Sequence, residues 1–335
     1  MTDGEELFAG RKETAVHMPM KVSTQKALTV ILAVLSFPFF TAGMINGKEA
    51  LRMEKSADPE AFLAPAVLAE IPADYPYEAI KAQAVLVRSR CCALIEDGVK
   101  TEAVIEKLVQ EGNSADSTSG HEKILCEQAV RETEDVALVY GGKTVNGPFF
   151  RVGNGKTRSG KDIFQNDKAP WLVSVESSWD IDSEEYLSSV SYSPDELAER
   201  LERLEENLSE KIFGNDYRER IGAGTLSAEE AAGYFQNMVT DDAGYVTEVK
   251  AGDADLAGES LREMLNLPSS CFSVQAVDGK VRFLCKGLGH GAGLSQAGAA
   301  AMAEEGKSAE EILRYYFPQT DLQTVSVESD NRPGS

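Results

Sequence analysis

The chain has 335 residues and a net charge of −22, from 33 Lys+Arg and 55 Asp+Glu. So acidic a chain is not a general nucleic-acid binder, because the phosphate backbone would repel it. Its five cysteines form no Cys-x-x-Cys pair, and their odd number leaves at least one unpaired, which argues against a disulfide scaffold. The length and the 42% hydrophobic content predict a globular protein with ample material for a core.

The N-terminal region contains an uncharged apolar run over residues 27–45, close to the roughly 20 residues that cross a bilayer. Lys21 and Lys26 precede the run, so residues 1–26 are predicted to be a cytoplasmic tail, 27–45 a transmembrane helix, and residues 47–335 extracytoplasmic. A cleaved signal peptide is the alternative, but the run is long and no small-residue cleavage site follows it. We therefore favour a single-pass cell-membrane protein with an uncleaved anchor. A juxtamembrane linker is predicted over 46–60.

The exported part, residues 61–325, mixes helices and strands without βαβ regularity and predicts a single α+β domain. A polar tail over 326–335 follows it. The first helix is predicted over 61–70, ended by Pro72, and the second from Pro76 to about Asp97. The later elements are predicted as follows: a loop over 111–120, a hairpin over 136–151, a strand over 171–175, one helix over 194–212 after a capping box at Ser193, a helix after Ser227, strands over 245–250, 272–277 and 280–285, and a helix after the capping box at Ser308.

Three segments of this domain carry candidate chemistry. Residues 69–90 place two acids, Glu70 and Glu78, around a tight proline-containing turn. Residues 287–308 are rich in Gly and Ala, which allows close backbone approach to a ligand or to another strand. Residues 147–164 form a Gly-rich loop after a strand.

Sequence blocks in these segments carry a family resemblance. They are EIP and EAIKAQAV within 70–85, GHGAGLSQAGA over 289–299, and KSAEEIL with YYFPQT within 307–320. In this order they resemble the blocks of the stage II sporulation protein D family, over about residues 61–325. Family members often have a histidine where Arg151 stands, and a tryptophan where Leu288 stands.

The resemblance implies a membrane-anchored lytic transglycosylase. Such an enzyme cuts the MurNAc–GlcNAc bond of peptidoglycan and leaves a 1,6-anhydro sugar. The implied substrate is glycan strands stripped of stem peptides, and the implied partners are an amidase and a third membrane protein of an engulfment complex in sporulation. The enhancer branch of the family supports an alternative, a non-catalytic glycan-binding module that recruits or stimulates a cell-wall amidase.

The implied reaction needs one carboxylic acid that is protonated near neutral pH. Glu70 ends an apolar helix, and an apolar wall raises a carboxyl pKa. Glu78 falls at the third position of the next helix, where an acid favours the helix dipole or caps the helix. We prefer Glu70, while Glu78 remains the rival.

The remaining candidates are substrate-binding residues. Tyr75 or Tyr77 is expected to stack on a sugar. Lys81 and Gln83 lie about 160° apart on a helix, so at most one of them faces a groove. Polar contacts to the glycan are expected from four further residues: Thr157, His290, Ser295 and Gln296. No cofactor or metal is expected, because His121 and Cys126 are five residues apart and have no clear third ligand.

Overall fold

The computed structural model describes residues 58–72, 74–113 and 120–325, all within one compact unit, Ser56–Ser335. The fold is α+β, as predicted. The predicted cytoplasmic tail, the membrane anchor over 27–45, the linker up to residue 57 and the C-terminal tail lie outside the described residues. Among the helices that are described, none is long and apolar enough to cross a membrane.

The regular elements follow one another along the chain without a repeating unit. In chain order they are α1 (Glu60–Glu70), α2 (Tyr77–Glu96), α3 (Thr101–Asn113), α4 (Gly120–Glu132), β1 (Val136–Tyr140), β2 (Lys143–Thr144), β3 (Phe149–Phe150), α5 (Gly160–Phe164), a 3₁₀ turn (Ser178–Asp182), β4 (Leu187–Tyr192), α6 (Pro194–Leu204), α7 (Leu208–Phe213), α8 (Tyr217–Gly222), α9 (Ala228–Gly233), β5 (Asn237–Thr240), β6 (Val246–Ala251), β7 (Ala254–Ala257), α10 (Gly258–Met264), β8 (Phe272–Val277), β9 (Lys280–Lys286), β10 (Leu294–Ser295), α11 (Gln296–Glu304), α12 (Ala309–Tyr316) and β11 (Asp321–Thr324).

Within the described residues, the strands form four small separate sheets. Three of these sheets are antiparallel, with strand orders β11-β1-β2, β4-β9-β8 and β5-β6-β7. The fourth pairs β3 with β10 in parallel, with Phe149 opposite Leu294. This parallel pair joins the 147–164 segment to the Gly-rich 287–308 segment, two of the three candidate segments.

Two large hydrophobic cores organise the described part of the domain, beside a small cluster of Ala243, Tyr245 and Cys271. The first core gathers α1 to α4 with α11 and α12, and the buried alanines of α2 let its neighbours approach closely. The second core is built from residues between Tyr192 and Cys285. The chain therefore leaves the first core, builds the second, and returns. That return brings the region around residue 70 against the region around residue 296.

Several predicted elements are confirmed. The helix ending at Glu70 ends there because Pro72 favours the extended conformation of Ile71, which has φ −121° and ψ 143°. The capping boxes at Ser193 and Ser308 are both formed, and the Asp278-Gly279 turn joins β8 to β9.

Other predicted elements are wrong. The single helix over 194–212 is two helices, because Asn207 takes a left-handed conformation at φ +63° and Leu208 restarts the helix. The predicted strand over 171–175 has no strand ladder, and only an isolated bridge between Lys156 and Glu176 lies beside it.

Two further boundaries differ from the prediction. The expected hairpin over 136–151 stops after β2, and β3 instead pairs with β10. The expected loop over 111–120 is narrower, since α3 continues to Asn113 and α4 begins at Gly120. In the first case a partner distant in the sequence determines where the hairpin ends.

Candidate active site

Glu70 is the last residue of α1, and its side chain is 12% exposed. Its Oε1 lies 2.7 Å from Nη2 of Arg90, and its Oε2 accepts a 3.1 Å hydrogen bond from Nε2 of Gln83. Burial raises the pKa of Glu70, and the guanidinium of Arg90 opposes that rise. A negative charge is also unfavourable at a helix C-terminus, so the protonated form of Glu70 suits this position.

Two buried glutamines connect Glu70 to the rest of the first core. Nε2 of Gln296 donates to the backbone carbonyl of Glu70 at 2.7 Å and to Oε1 of Gln83 at 3.2 Å. The carbonyl of Glu70 is one of those that a helix end leaves without an intrahelical partner. Candidate residues from two separate segments thus form one hydrogen-bond network, which we call the Glu70 network: Glu70, Gln83 and Gln296.

Ser295 supports this network from the beginning of α11. Its hydroxyl accepts from the backbone N–H of Gly298 at 3.2 Å and donates to Oδ1 of Asp180 in the 3₁₀ turn. Asp180 is fully buried, and burial raises its pKa while the hydrogen bond from Ser295 opposes the rise. Its Oδ2 has no hydrogen-bond partner among the described residues. Sequence reasoning missed Asp180, because no regular pattern surrounds it.

We expect Ser295→Ala to lower the free energy of unfolding by about 1–3 kcal/mol, because it removes a helix cap and the hydrogen bond that the Ser295 hydroxyl donates to Asp180. Urea unfolding measures the effect. Ser308→Ala is the matched control. It also removes a serine cap, that of α12, but Ser308 pairs with the exposed Glu311 and not with a buried acid. An equal loss in both variants would show that the contact with Asp180 adds nothing to the cap.

His290 lies in the Gly-rich turn that leads into β10. Its Nδ1 accepts from the backbone N–H of Ala292 at 3.1 Å, and its ring meets Phe150 edge-on at 5.9 Å. Burial lowers the pKa of His290, and Glu259 opposes that change. Gly293, at φ +81°, brings the backbone so close to the carbonyl of Pro148 that a Cβ would lie 2.0 Å from it. Glycine is therefore needed at position 293 because the segment that leads into β3 packs closely against it.

Glu78 occupies a different place from Glu70. Its Oε2 accepts from the backbone N–H of Ala309 at 2.7 Å, and its Oε1 accepts from Nζ of Lys81 at 3.1 Å. Glu78 thus caps the beginning of α12. Lys81 also lies 3.6 Å from Glu132, so it faces away from Gln83 and from the Glu70 network.

The two tyrosines of the turn lie beside cations. The Tyr75 ring has Cζ of Arg151 5.0 Å from its centroid, and burial raises the pKa of Tyr75. The Tyr77 ring has Nζ of Lys81 5.8 Å from its centroid, and burial raises the pKa of Tyr77 to about 12. Both rings are half-buried, and Arg151 also pairs with Glu185 at 2.7 Å.

The other sequence candidates do not join the Glu70 network. Thr157 is fully buried, and its hydroxyl accepts from the backbone N–H of Val175 at 2.9 Å, which is a contact within the fold. On α4, His121 is exposed whereas Cys126 is buried. Within the described ranges, no cluster of three or more His, Cys, Asp or Glu residues could hold a metal ion.

Sequence reasoning also missed Arg90, the cation beside Glu70. Its Nη2 is 2.7 Å from Oε2 of Glu111 as well as 2.7 Å from Oε1 of Glu70. A signal was present, since Arg90 follows Gln83 by two helical turns and therefore lies on the same face of α2. No such signal pointed to Glu111, which α3 brings close through tertiary packing.

The sequence comparisons agree with the resemblance found in the motifs. Residues 48–140 match the model of a family described as Stage II sporulation protein. Stage II sporulation protein D of Bacillus amyloliquefaciens is 28% identical over 279 residues, covering 78% of this chain and 73% of the relative. The protein of the same name from Bacillus subtilis is 27% identical over 281 residues, covering 80% of this chain and 75% of the relative.

A third relative is the protein named Amidase enhancer of Bacillus subtilis. It is 23% identical to this chain, and the match covers 76% of this chain but only 39% of the relative. The predicted family resemblance is confirmed by these matches. Glu70, Gln83 and Arg90 all fall inside the range that the family model matches.

Proposed function

We propose that this chain, which carries a stage II sporulation protein domain over residues 48–140, is a peptidoglycan lytic transglycosylase with Glu70 as its acid and base. The proposed substrate is the MurNAc–GlcNAc bond of glycan strands stripped of stem peptides. The observation that carries the proposal is the environment of Glu70, a carboxyl group at a helix end whose burial raises its pKa.

In the proposed reaction, protonated Glu70 gives its proton to the oxygen that leaves MurNAc C1. The carboxylate so formed takes the proton from the C6 hydroxyl of the same sugar, and O6 bonds to C1 as the C1–oxygen bond breaks. The proton returns to Glu70, no water is consumed, and a 1,6-anhydro ring remains. No second carboxylate is needed as a nucleophile, unlike the case of an ordinary retaining glycosidase.

The contacts of Glu70 suit both halves of this cycle. Burial stabilises the acid before the first proton transfer. Arg90 at 2.7 Å and Gln83 at 3.1 Å stabilise the carboxylate after it. Gln296 fixes the backbone of Glu70, so the carboxyl group is carried by an anchored helix end. Glu78 has no comparable environment, because it caps α12.

The apolar N-terminal run and the names of the relatives support a proposal for the cellular setting of the activity. We propose that the apolar run over 27–45 anchors the chain in the cell membrane, with the domain outside. Two relatives are named for sporulation stage II and one as an amidase enhancer. We therefore propose a role in engulfment, beside a partner amidase and a further membrane protein.

The proposal predicts the chemistry of the products. The full 335-residue chain, incubated with glycan strands stripped of stem peptides, is expected to release fragments one water lighter than hydrolysis products. Mass spectrometry makes this measurement. Intact-stem strands serve as the comparison substrate and are expected to be cut more slowly. Fragments of hydrolytic mass would overturn the transglycosylase mechanism.

A second candidate function is a glycan-binding module that stimulates an amidase. It is favoured by the similarity to a protein named Amidase enhancer, and by the ion pair with Arg90, which favours the charged form of Glu70. This module would bind the same strands and release no fragments. An added amidase would then remove stem peptides faster in its presence. The product analysis therefore separates the two functions.

A further inference from the structure

One guanidinium nitrogen serves two carboxylates at the candidate active site. Nη2 of Arg90 lies 2.7 Å from Oε1 of Glu70 and 2.7 Å from Oε2 of Glu111. The side chains are 18% exposed for Arg90, 12% for Glu70 and 24% for Glu111. Charges that are largely buried away from water act on one another more strongly than charges on an open surface.

A group that acts as acid and then as base must reach both forms within one turnover. Burial on its own would hold Glu70 in the neutral form, and an undivided positive charge at 2.7 Å would hold it in the charged form. Glu111 binds the same nitrogen, so Arg90 does not direct its whole charge at Glu70. The two partners on α2 and α3 therefore have opposite effects on one carboxyl group.

We propose, resting on the proposed function, that Arg90 and Glu111 form a positioning pair that sets the pH range over which Glu70 acts as the acid. Arg90 fixes one carboxylate oxygen of Glu70. Glu111 holds Arg90 and determines how much of its charge Glu70 receives. Neither residue exchanges a proton with the glycan, and both act through Glu70.

Among the charged groups packed around α1, Arg90 and Glu111 have the largest effects on the carboxyl group of Glu70. The amides of the Glu70 network are neutral, and they come from α2 and α11. Helix α4 also packs on α1, but its Glu132 is bound by Gln128 at 2.7 Å and lies 3.6 Å from Lys81. The pKa of Glu70 is raised by burial and by Glu111, and it is lowered by Arg90. These directions agree with the geometry.

The test is the pH profile of kcat/KM for the full 335-residue chain on stripped glycan strands. Glu70 must be protonated to act, so a lower pKa moves the alkaline limb to lower pH. Glu111→Gln is expected to do this, with a severalfold loss of rate at a pH on that limb. Arg90→Gln is expected to move the limb to higher pH. A merely structural role would lower the rate at every pH and leave the limb in place.

Matched variants isolate the charge effect. Glu106→Gln removes the same charge from an exposed position on α3 and is expected to leave the limb in place. Arg90→Lys keeps the positive charge and is expected to keep the limb near that of the wild type. Movement of the limb by Glu111→Gln and Arg90→Gln in the same direction, or no movement in either, would overturn the positioning pair.

A second readout separates this inference from the proposed function. Carboxyl ¹³C NMR follows the titration of Glu70 directly, with its resonance assigned by its loss in Glu70→Gln. Opposite shifts in the Glu111 and Arg90 variants support the pair whether or not glycan is cut. Opposite shifts in a chain that cuts no glycan would overturn the transglycosylase and leave the coupling established. Unchanged titration would overturn the pair.

Discussion

Glu70→Gln is expected to lower the rate of glycan cleavage by about 10²–10⁴-fold, the usual contribution of a positioned acid or base. Glutamine has nearly the same shape as glutamate, but it can neither give the proton to the leaving oxygen nor take one from the C6 hydroxyl. The helix end and the hydrogen bond from Gln296 to the backbone of residue 70 remain. Initial rates on stripped strands, with thermal unfolding of each variant, make the measurement.

Glu78→Gln is the control for Glu70→Gln, because Glu78 is the other acid of the same segment. Its amide oxygen can still accept from Ala309, although the bond to Lys81 is weakened. Cleavage is therefore expected within about threefold of wild type, and the loss of stability is expected to be about 1 kcal/mol. If Glu78→Gln folds stably but does not cleave glycan, while Glu70→Gln still cleaves it, the acid role would pass to Glu78.

The different positions of Glu70 and Glu78 show what could be predicted from the sequence and what could not. Local rules placed Glu78 at the third position of a helix, where an acid has a structural use. The structure gives it a structural contact, but with the N-terminus of α12, whose first residue is Ala309. Helix periodicity describes neighbours within one helix and carries no information about which helix end will pack alongside.

The same limit explains what the sequence left out of the site. Glu70, Gln83 and Gln296 could be named because each falls in a block that resembles a family motif. Glu111 lies on another helix, and Asp180 lies in an irregular segment, so neither falls in a recognisable pattern. Only the packing of α1 against α2 and α3, and of the 3₁₀ turn against α11, brings them to the site.

In the fold, too, local features were predicted correctly and long-range pairings were not. Capping boxes and a two-residue turn are local, and they were predicted correctly at Ser193, Ser308 and Asp278-Gly279. The hairpin over 136–151 was mispredicted because β3 finds its partner in β10, far along the chain. A strand of two residues has no periodic pattern to recognise. Where it forms depends on pairing with a segment that is far away in the sequence.

Arg88→Met is expected to lower the free energy of unfolding by about 3–5 kcal/mol, the usual cost of leaving a buried charge unpaired. The Arg88 side chain is 1% exposed, with its Nε 2.5 Å from Oε1 of Glu60 and its Nη2 2.9 Å from Oε2. It also donates to the hydroxyl of Thr133 and to the carbonyls of Val130 and Val136. Methionine fills a similar volume but leaves the carboxylate of Glu60 without its guanidinium donors, while the carbonyl of Val130 keeps a hydrogen bond from the hydroxyl of Thr133. Urea unfolding measures the loss.

The surface pair of Arg314 and Glu310 is the matched control, because its side chains are 53% and 63% exposed. Arg314→Met is expected to cost less than about 1 kcal/mol. Adding Glu60→Gln to Arg88→Met removes the unpaired charge and should restore part of the stability. A loss below about 1 kcal/mol in Arg88→Met would contradict the prediction. Glu60 and the proposed acid Glu70 are the two ends of α1. Because Arg88 joins α2 to Glu60, the Arg88 variant is also expected to cut glycan more slowly at temperatures where it remains folded.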